Sequence, residues 1–381
     1  MKNKLPDRWK EIELRDAGYF EVKKGESITK SKISDGYVPV VAGGQQPAYY
    51  HNKSNRQGET ITISGSGAYA GFVAYFNVPI FASDCSTVQT KTESISTRYT
   101  YLFLKSYQRR IYSLQKGIAQ PHVYPKDIMK IKIPLPFSNG KPDLKEQEII
   151  VGILEKAESL KQKGKKAGDL LDEYLKSVFY EMFYNRGFEE IKIENGTLKT
   201  DTKNPMIDFP DNNFYYVDIA SIDTERKEIV NYNKLIGKEA PSRARQQIKK
   251  KDVLVSTVRP NLNAVALVPT DLDNQICSTG FCILRADNKK FTPEYLFYTS
   301  QINSFINSLV RKCKGANYPA VSNKDVKSFK IPLPPLPLQQ KFAKIVEHVE
   351  RLKENVNKAK QNSGELFNAL MQKAFNGELI K

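Results

Sequence analysis

Apolar and polar positions in this chain follow two rhythms. Short β-rich runs, TITIS (60–64), GFVAYF (71–76), DVLVSTV (252–258), AVALVP (264–269) and FCILRA (281–286), are punctuated by Gly, Pro and Asn. Such runs predict short strands joined by turns. A helical stretch follows in each region, YLFLKSYQRRIYSL (101–114) and YLFYTSQINSFINSLV (295–310). The globular parts therefore read as α+β. The second rhythm is longer. Small or apolar residues at Ile153, Ala157, Leu160, Gly164, Ala167, Leu171, Tyr174 and Val178 are spaced alternately by four and three. The series Phe342, Ile345, Val349, Leu352, Val356, Ala359, Ser363, Leu366 and Leu370 repeats that spacing. Alternating steps of this kind predict a coiled-coil seam. Each helix spans about 35–40 residues, or roughly 55 Å at 1.5 Å per residue.

The two rhythms alternate because the chain is an internal duplication. The pentapeptide KIPLP stands at 132–136 and again at 330–334, ahead of each long helix, the first copy through the polar linker FSNGKPD (137–143). Its prolines cannot continue a helix and remove donors from a sheet, so each copy marks a boundary. Other matches fall in the same order with drifting offsets. Trp9-Lys10-Glu11-Ile12 matches Phe188-Glu189-Glu190-Ile191, and Ser64 matches Ser256. Cys85-Ser86-Thr87 matches Cys277-Ser278-Thr279, and Tyr101-Leu102-Phe103 matches Tyr295-Leu296-Phe297. GIAQPHVYPKDIMKIKIPLP (117–136) matches GANYPAVSNKDVKSFKIPLP (315–334) without a gap. A search for long repeats looks for this kind of ordered self-similarity. It divides the chain into globular segments 1–136 and 186–334 and helical segments 137–185 and 335–381. Each helix has one apolar stripe and needs a partner for it. A pseudo-twofold relation between the halves would pair the helices antiparallel; the alternative is that each helix packs on its own globular segment. Aligned on GDLLDEYLKSVF (168–179) and GELFNALMQKAF (364–375), the second helix carries four more residues before its terminal motif than the first.

Composition adds a partner. The formal net charge is +17 over 381 residues. So large an excess suits a polyanion, nucleic acid foremost, with a generally basic surface as the alternative. Four cysteines without CxxC spacing, no apolar run near the roughly 18 residues of a membrane span and no apolar stretch after the N-terminal lysines fit a reduced, cytoplasmic protein.

Catalytic chemistry is poorly represented. No [DNS]-P-P-[YF] loop of the kind that holds a flipped adenine occurs, and NPMI (204–207) has the wrong order. SGSGAYAG (64–71) lacks the GK[ST] ending of a phosphate loop. Asp218, Glu225 and Lys227 make a thin nuclease candidate. His51, His122 and His348 are scattered, with no metal-ligand spacing. DNA-binding chemistry is better represented. PSRARQQIKKK (241–251) sets Ser242, Arg243, Arg245, Gln246 and Gln247 beside Lys249, Lys250 and Lys251. Arg pairs with guanine edges, Gln with adenine edges, and Lys neutralises phosphates; a solvated basic loop is the other reading. Arg259, Asn261 and Asn263 lie in a Pro-containing turn after a strand, and its counterpart in the first half offers Ser64, Ser66 and Tyr69. Gln45, Gln46, Tyr49, Lys53 and Arg56 add polar and aromatic groups. The loops before each KIPLP carry Lys116, Gln120 and His122, and Lys314, Asn317 and Tyr318.

Taken together, the order of globular domain, KIPLP boundary and long helix, repeated once, resembles the specificity subunit of type I restriction-modification systems. The resemblance runs along essentially the whole chain. It is carried by IPLPPLPLQQKF (331–342), ALMQKAFNGEL (369–379), APSRARQQIKKKDVLVSTVRPNLNAVALV (240–268), CSTGFCILRA (277–286) and GANYPAVSNKDVKSF (315–329). The first helix departs from it, ending VFYEMFYNRGF in place of an NGEL-type close. The resemblance implies two similar target-recognition domains, related by a pseudo-twofold and separated by two long antiparallel coiled-coil helices. It implies a non-catalytic subunit that reads a bipartite double-stranded DNA target. Two S-adenosylmethionine-dependent methyltransferase subunits would dock on it, with motor-nuclease subunits added for restriction. This chain itself would bind no cofactor and no membrane. The alternatives are a specificity subunit of a methylase-only or phage-defence system, or a non-enzymatic coiled-coil adaptor.

Overall fold

A computed structural model describes residues 5–117, 119–184, 186–315 and 319–380. The chain forms two compact units, Met1–Lys166 with Asn357–Lys381, and Ala167–Val356. Each unit thus takes one part of each long helix, where the sequence pattern separates helices from globular segments.

Unit 1 is built on a four-stranded antiparallel sheet in the order Phe20–Lys24, Cys85–Thr90, Thr60–Ser64, Val73–Phe76. Thr60–Ser64 is buried at every residue, which suits its β-branched composition. A smaller sheet orders Tyr49–His51, Val38–Val41 and Phe81–Ala82, the last pair parallel. Unit 2 repeats both patterns. Its first sheet orders Thr197–Leu198, Phe281–Ala286, Val253–Ser256 and Val265–Leu267. Its second orders Asn233–Ile236, Asn213–Val217 and Ile276–Ser278, with one further strand, Ala244–Gln247, on the edge.

The KIPLP copies are closing strands. Lys132–Ser138 pairs antiparallel with Trp9–Glu13, and Lys330–Pro332 pairs antiparallel with Glu190–Lys192. Phe137 N donates to Arg8 O. Alternate residues face opposite ways, so Pro134 and Pro136 place their missing donors on the other side. The buried Tyr99 and Tyr295 donate their hydroxyls to Pro134 O and Pro332 O, each at 2.7 Å. The prolines therefore end one domain and let the next helix begin at no cost in unpaired donors.

Both long helices, Leu144–Phe183 and Leu336–Phe375, have 40 residues. The second helix does carry four more residues before its terminal motif, 28 against 24, as the sequence pattern predicts, yet the two are equal in total length. Relative to the shared motif, the first helix continues one turn past Phe179 to Phe183, while left-handed Gly377 (φ 73°) follows the end of the second. Leu379 then packs on the unit 1 core from outside the helix.

Each helix start is fastened by a fully buried glutamine. Gln147 Oε1 accepts from Ser96 N at 3.0 Å, and its Nε2 donates to Ser94 O and Asp143 O. Gln339 Oε1 accepts from Thr292 N at 2.9 Å, and its Nε2 donates to Lys290 O and Pro334 O. A buried amide without such partners would be costly; here the donor and acceptor groups are engaged.

Within each unit the helices run antiparallel. In unit 1 Lys161 lies over the Phe367 ring, and Gly164 faces Lys360. In unit 2 Asp172 pairs with Lys353 at 2.6 Å, and Phe179 meets Phe342 with ring centroids 5.3 Å apart. The cores recruit both helices: Ile150, Leu154, Met371 and Phe375 in unit 1, and Leu175, Phe179, Phe183, Phe342 and Val349 in unit 2. Fully burying one such side chain stabilises by about 1.5–3 kcal/mol. The seam departs from the expected one at Leu160, Tyr174, Leu352, Ala359 and Leu366, which are all exposed.

Candidate nucleic-acid interface

Three loops of unit 1 meet at the end of the buried strand Thr60–Ser64. Ser66 and Lys116 each bridge to His122 through the backbone, Gly67 N donates to Pro121 O, and Val123 N donates to Gly65 O. Gly43 is packed so closely that a Cβ there would lie 2.5 Å from Ser66 O. The polar tips of 43–46, 65–71 and the described residues 116–117 and 119–122 are thus neighbours. Gln45, Gln46, Tyr69, Lys116 and Gln120 are exposed on them. Lys116 also pairs with Asp127 at 2.6 Å, and this hydrogen bond holds the Asp127 carboxyl below its usual range. The His122 ring stacks on Tyr124.

Unit 2 repeats the arrangement bond for bond. Val258 and Lys314 each bridge to Ala320, Arg259 N donates to Pro319 O at 2.8 Å, and Val321 N donates to Thr257 O. The loop ends match too. Gly67 (φ 82°) and Gly71 (φ 91°) bracket the unit 1 loop; Arg259 (φ 49°) and Asn263 (φ 47°) bracket its unit 2 counterpart. Glycine adopts this conformation freely; Asn does so at some cost and Arg at more. Between the brackets, Tyr69 in one unit and Asn261 and Leu262 in the other are exposed. The same frame therefore carries different side chains.

Not every residue singled out from the sequence projects outward. Ser64 is buried, with its hydroxyl donating to Gly44 O. Ser66 donates to Asp84. Gln246 spends its amide on Ser278 O and Phe281 O, at 2.8 and 2.9 Å. Asn263 donates to Ser300 O at 2.9 Å. Arg245 folds back onto Pro241 O and Ala244 O, and Arg56 binds Thr87, Asn55 O and Lys24 O. In the free chain these residues bond within the frame. Tyr49 is exposed on its strand beside Lys30, and Lys53 is exposed beyond it.

The basic segment is also divided. Exposed Ser242 and Arg243 stand near the 259–263 loop, since Arg243 O accepts from Thr279 N and Gly280 O accepts from Thr257 N. Lys249, Lys250 and Lys251 lie at the opposite end of Val253–Ser256, roughly 13 Å away by strand rise. Lys251 pairs there with Glu294 at 3.1 Å. Lys314 is exposed beside the loop. Asn317 and Tyr318 lie outside the described residues.

Asp218 caps a helical turn by accepting from Ser221 N, so it does not join Glu225 and Lys227 in a carboxylate site. Among the described residues no group of His, Cys, Asp and Glu is placed to hold a metal ion, and no helix is long and apolar enough to cross a membrane. Burial pushes the Cys85 and Cys282 thiols up to about 12, which leaves them unsuited to nucleophilic work.

Comparison with known proteins agrees with the duplicated frame. The type I restriction enzyme EcoDI specificity subunit of Escherichia coli is 20% identical over 99% of this chain and 90% of its own length. The MjaVIII specificity subunit of Methanocaldococcus jannaschii is 22% identical over 94% of this chain and 91% of its own. The crystal structure of a type I restriction-modification S subunit from M. genitalium superposes with a TM-score of 0.57, covering 98% of each chain at 18% identity, and so shares the fold. The family model of the type I restriction modification DNA specificity domain matches twice, over residues 6–167 and 184–363. Those two matches take in both loop frames and both KIPLP strands, and the chain accordingly belongs to the family of type I restriction-modification specificity subunits.

Proposed function

We propose that this chain reads a bipartite double-stranded DNA target, one part with each unit, and performs no chemistry itself. The observation that carries this reading is the repeated loop frame, identical in its backbone bonds and different in its exposed side chains. Two copies of one frame with different tips suit two different half-sites. The net charge of +17 supplies the long-range attraction to a polyanion. The paired helices set the unread gap and offer docking surface to two methyltransferase subunits, on which S-adenosylmethionine is bound. Motor-nuclease subunits complete the restriction complex, in the cytoplasm.

Binding measurements on the chain in complex with its methyltransferase test this. Arg243→Ala is expected to cost about 1–3 kcal/mol and to relax discrimination at one base pair. Lys314→Ala is expected to weaken all sequences alike and to lower the slope of log K against log salt by about one. Unchanged binding in both variants would remove unit 2's loops from the interface. The purified chain alone, mixed with DNA and labelled S-adenosylmethionine, is expected to transfer no methyl group. Transfer above a no-protein control overturns the non-catalytic reading.

A further inference from the structure

The carbonyl at the second left-handed residue of each reading loop is capped by a long side chain. In unit 1 Gly71 O accepts from Gln108 Nε2 at 2.7 Å, while Gln108 Oε1 accepts from Val73 N at 3.0 Å. In unit 2 Asn263 O accepts from Lys227 Nζ at 2.6 Å. Gly71 and Asn263 are equivalent in the repeat, but their caps are not. Gln108 begins the short helix Gln108–Tyr112, whereas Lys227 lies in the turn between Ile222–Asp223 and Glu228–Ile229. The same backbone atom is held in both units by unrelated elements. A bond that served only to tie down a surface turn would have no reason to recur from a different source.

The unit 2 loop has the greater need of a hold. Its brackets are Arg and Asn where unit 1 has glycines, so both stand in a conformation that costs them energy. Pro260 is buried and Asn263 is tied to Ser300 O, which leaves Asn261 and Leu262 at the tip, the latter 53% exposed. The ammonium of Lys227 is itself placed at a cost. Burial, with Lys176 on the first long helix adding repulsion against the attraction of Asp223, lowers its pKa to about 8. A lysine kept in such surroundings is there for its hydrogen bond.

We infer that Gln108 and Lys227 are positioning residues for recognition: each latches the reading loop of its own unit, so that the loop tip meets base edges without first being ordered. This rests on the reading that these loops face DNA. A loop ordered beforehand avoids the entropy of being fixed on binding, and that advantage appears as discrimination between sequences.

Selection from a randomised duplex library, using the chain in its methyltransferase complex, provides the test. Lys227→Met removes the donor at similar length, and Lys227→Arg restores one. Lys227→Met is expected to reduce discrimination about tenfold at positions in one half-site only, with the other half-site read as before. Lys227→Arg should retain the original preference. Gln108→Leu should relax the other half-site, also about tenfold. The latch is overturned if Lys227→Met selects the original sequence, if the Met and Arg variants lose discrimination equally, or if both half-sites weaken together. Leu262→Ala with Asn261→Ala separates the underlying reading. If these tip changes leave selection untouched, the loop does not face DNA and the latch falls with it. If they alter selection while Lys227→Met does not, the DNA-facing reading stands and the latch alone is wrong.

Discussion

Replacing Asp252 with alanine is expected to destabilise the protein by about 3–5 kcal/mol, because it strands a partly buried guanidinium. The Asp252 side chain is 2% exposed and that of Arg285 is 12% exposed. Asp252 accepts from Arg285 Nε at 2.9 Å, from Arg285 Nη2 at 2.8 Å and from Lys249 N at 2.8 Å. Arg285 also reaches Gln247 O and, at 3.4 Å, Asp201. The hydrogen bond to Asp252, working against burial, keeps the guanidinium pKa raised. One carboxylate thus fastens both flanks of the segment that ends in Lys249–Lys251. Replacing both partners with leucine should cost far less than the single change, since no charge is then left without its partner. Denaturant unfolding of the full chain checks this. The two units are expected to melt separately, so the shift should appear in one transition. A cost below about 1 kcal/mol would mean that water already solvates the pair as it does at a surface.

Inserting four residues after Lys165 in the first long helix is expected to abolish methylation at the original target and move it to one with a longer gap. Four residues lengthen a helix by about 6 Å. At 3.4 Å per base pair this is roughly one or two base pairs. The insertion shifts the heptad phase as a stutter, which local unwinding absorbs. The site is tolerant: no residue from 158 to 174 is fully buried, and Gly164 meets little but the Lys360 side chain. The anchors at the helix ends, Gln147 and Phe179 in the first helix and Gln339 and Phe375 in the second, stay as they are. Mapping methylated adenines after co-expression with the methyltransferase decides the matter. An active variant with an unchanged gap would show that helix length does not set the spacing.

The helix ends explain how unequal spacing gives helices of equal length. The four-residue offset between GDLLDEYLKSVF and GELFNALMQKAF is real in the sequence, yet both helices span 40 residues. The difference is taken up at the ends. The first helix adds the turn carrying Phe183, which packs on Tyr295 and Phe342, and the second stops at Phe375 before Gly377. VFYEMFYNRGF has no glycine at the position where FNGEL turns the chain, so nothing halts it at Phe179.

The legible parts of this fold are those written as a local period or as a match between the two halves. The strands Thr60–Ser64, Val253–Ser256 and Phe281–Ala286, the KIPLP boundaries, the two long helices and the duplication were all legible; that the KIPLP copies are themselves closing strands was not. Each depends on a local period or an ordered match between the halves. Which seam residues are buried was only partly legible, because a heptad series does not reveal where the partner helix ends. Leu160 and Leu366 fit the spacing and still face solvent. Which polar residues of the candidate loops stay free at the surface was not legible. Gln246 looks like a base reader until Ser278 O and Phe281 O take its amide, and PSRARQQIKKK looks like one patch until a strand separates Arg243 from Lys250. Gln108 carried no signal at all, and Lys227 stood out only as part of a nuclease candidate. Their partners lie 37 and 36 residues away in the chain, and only the tertiary fold brings a donor to a backbone carbonyl that has no side-chain identity of its own.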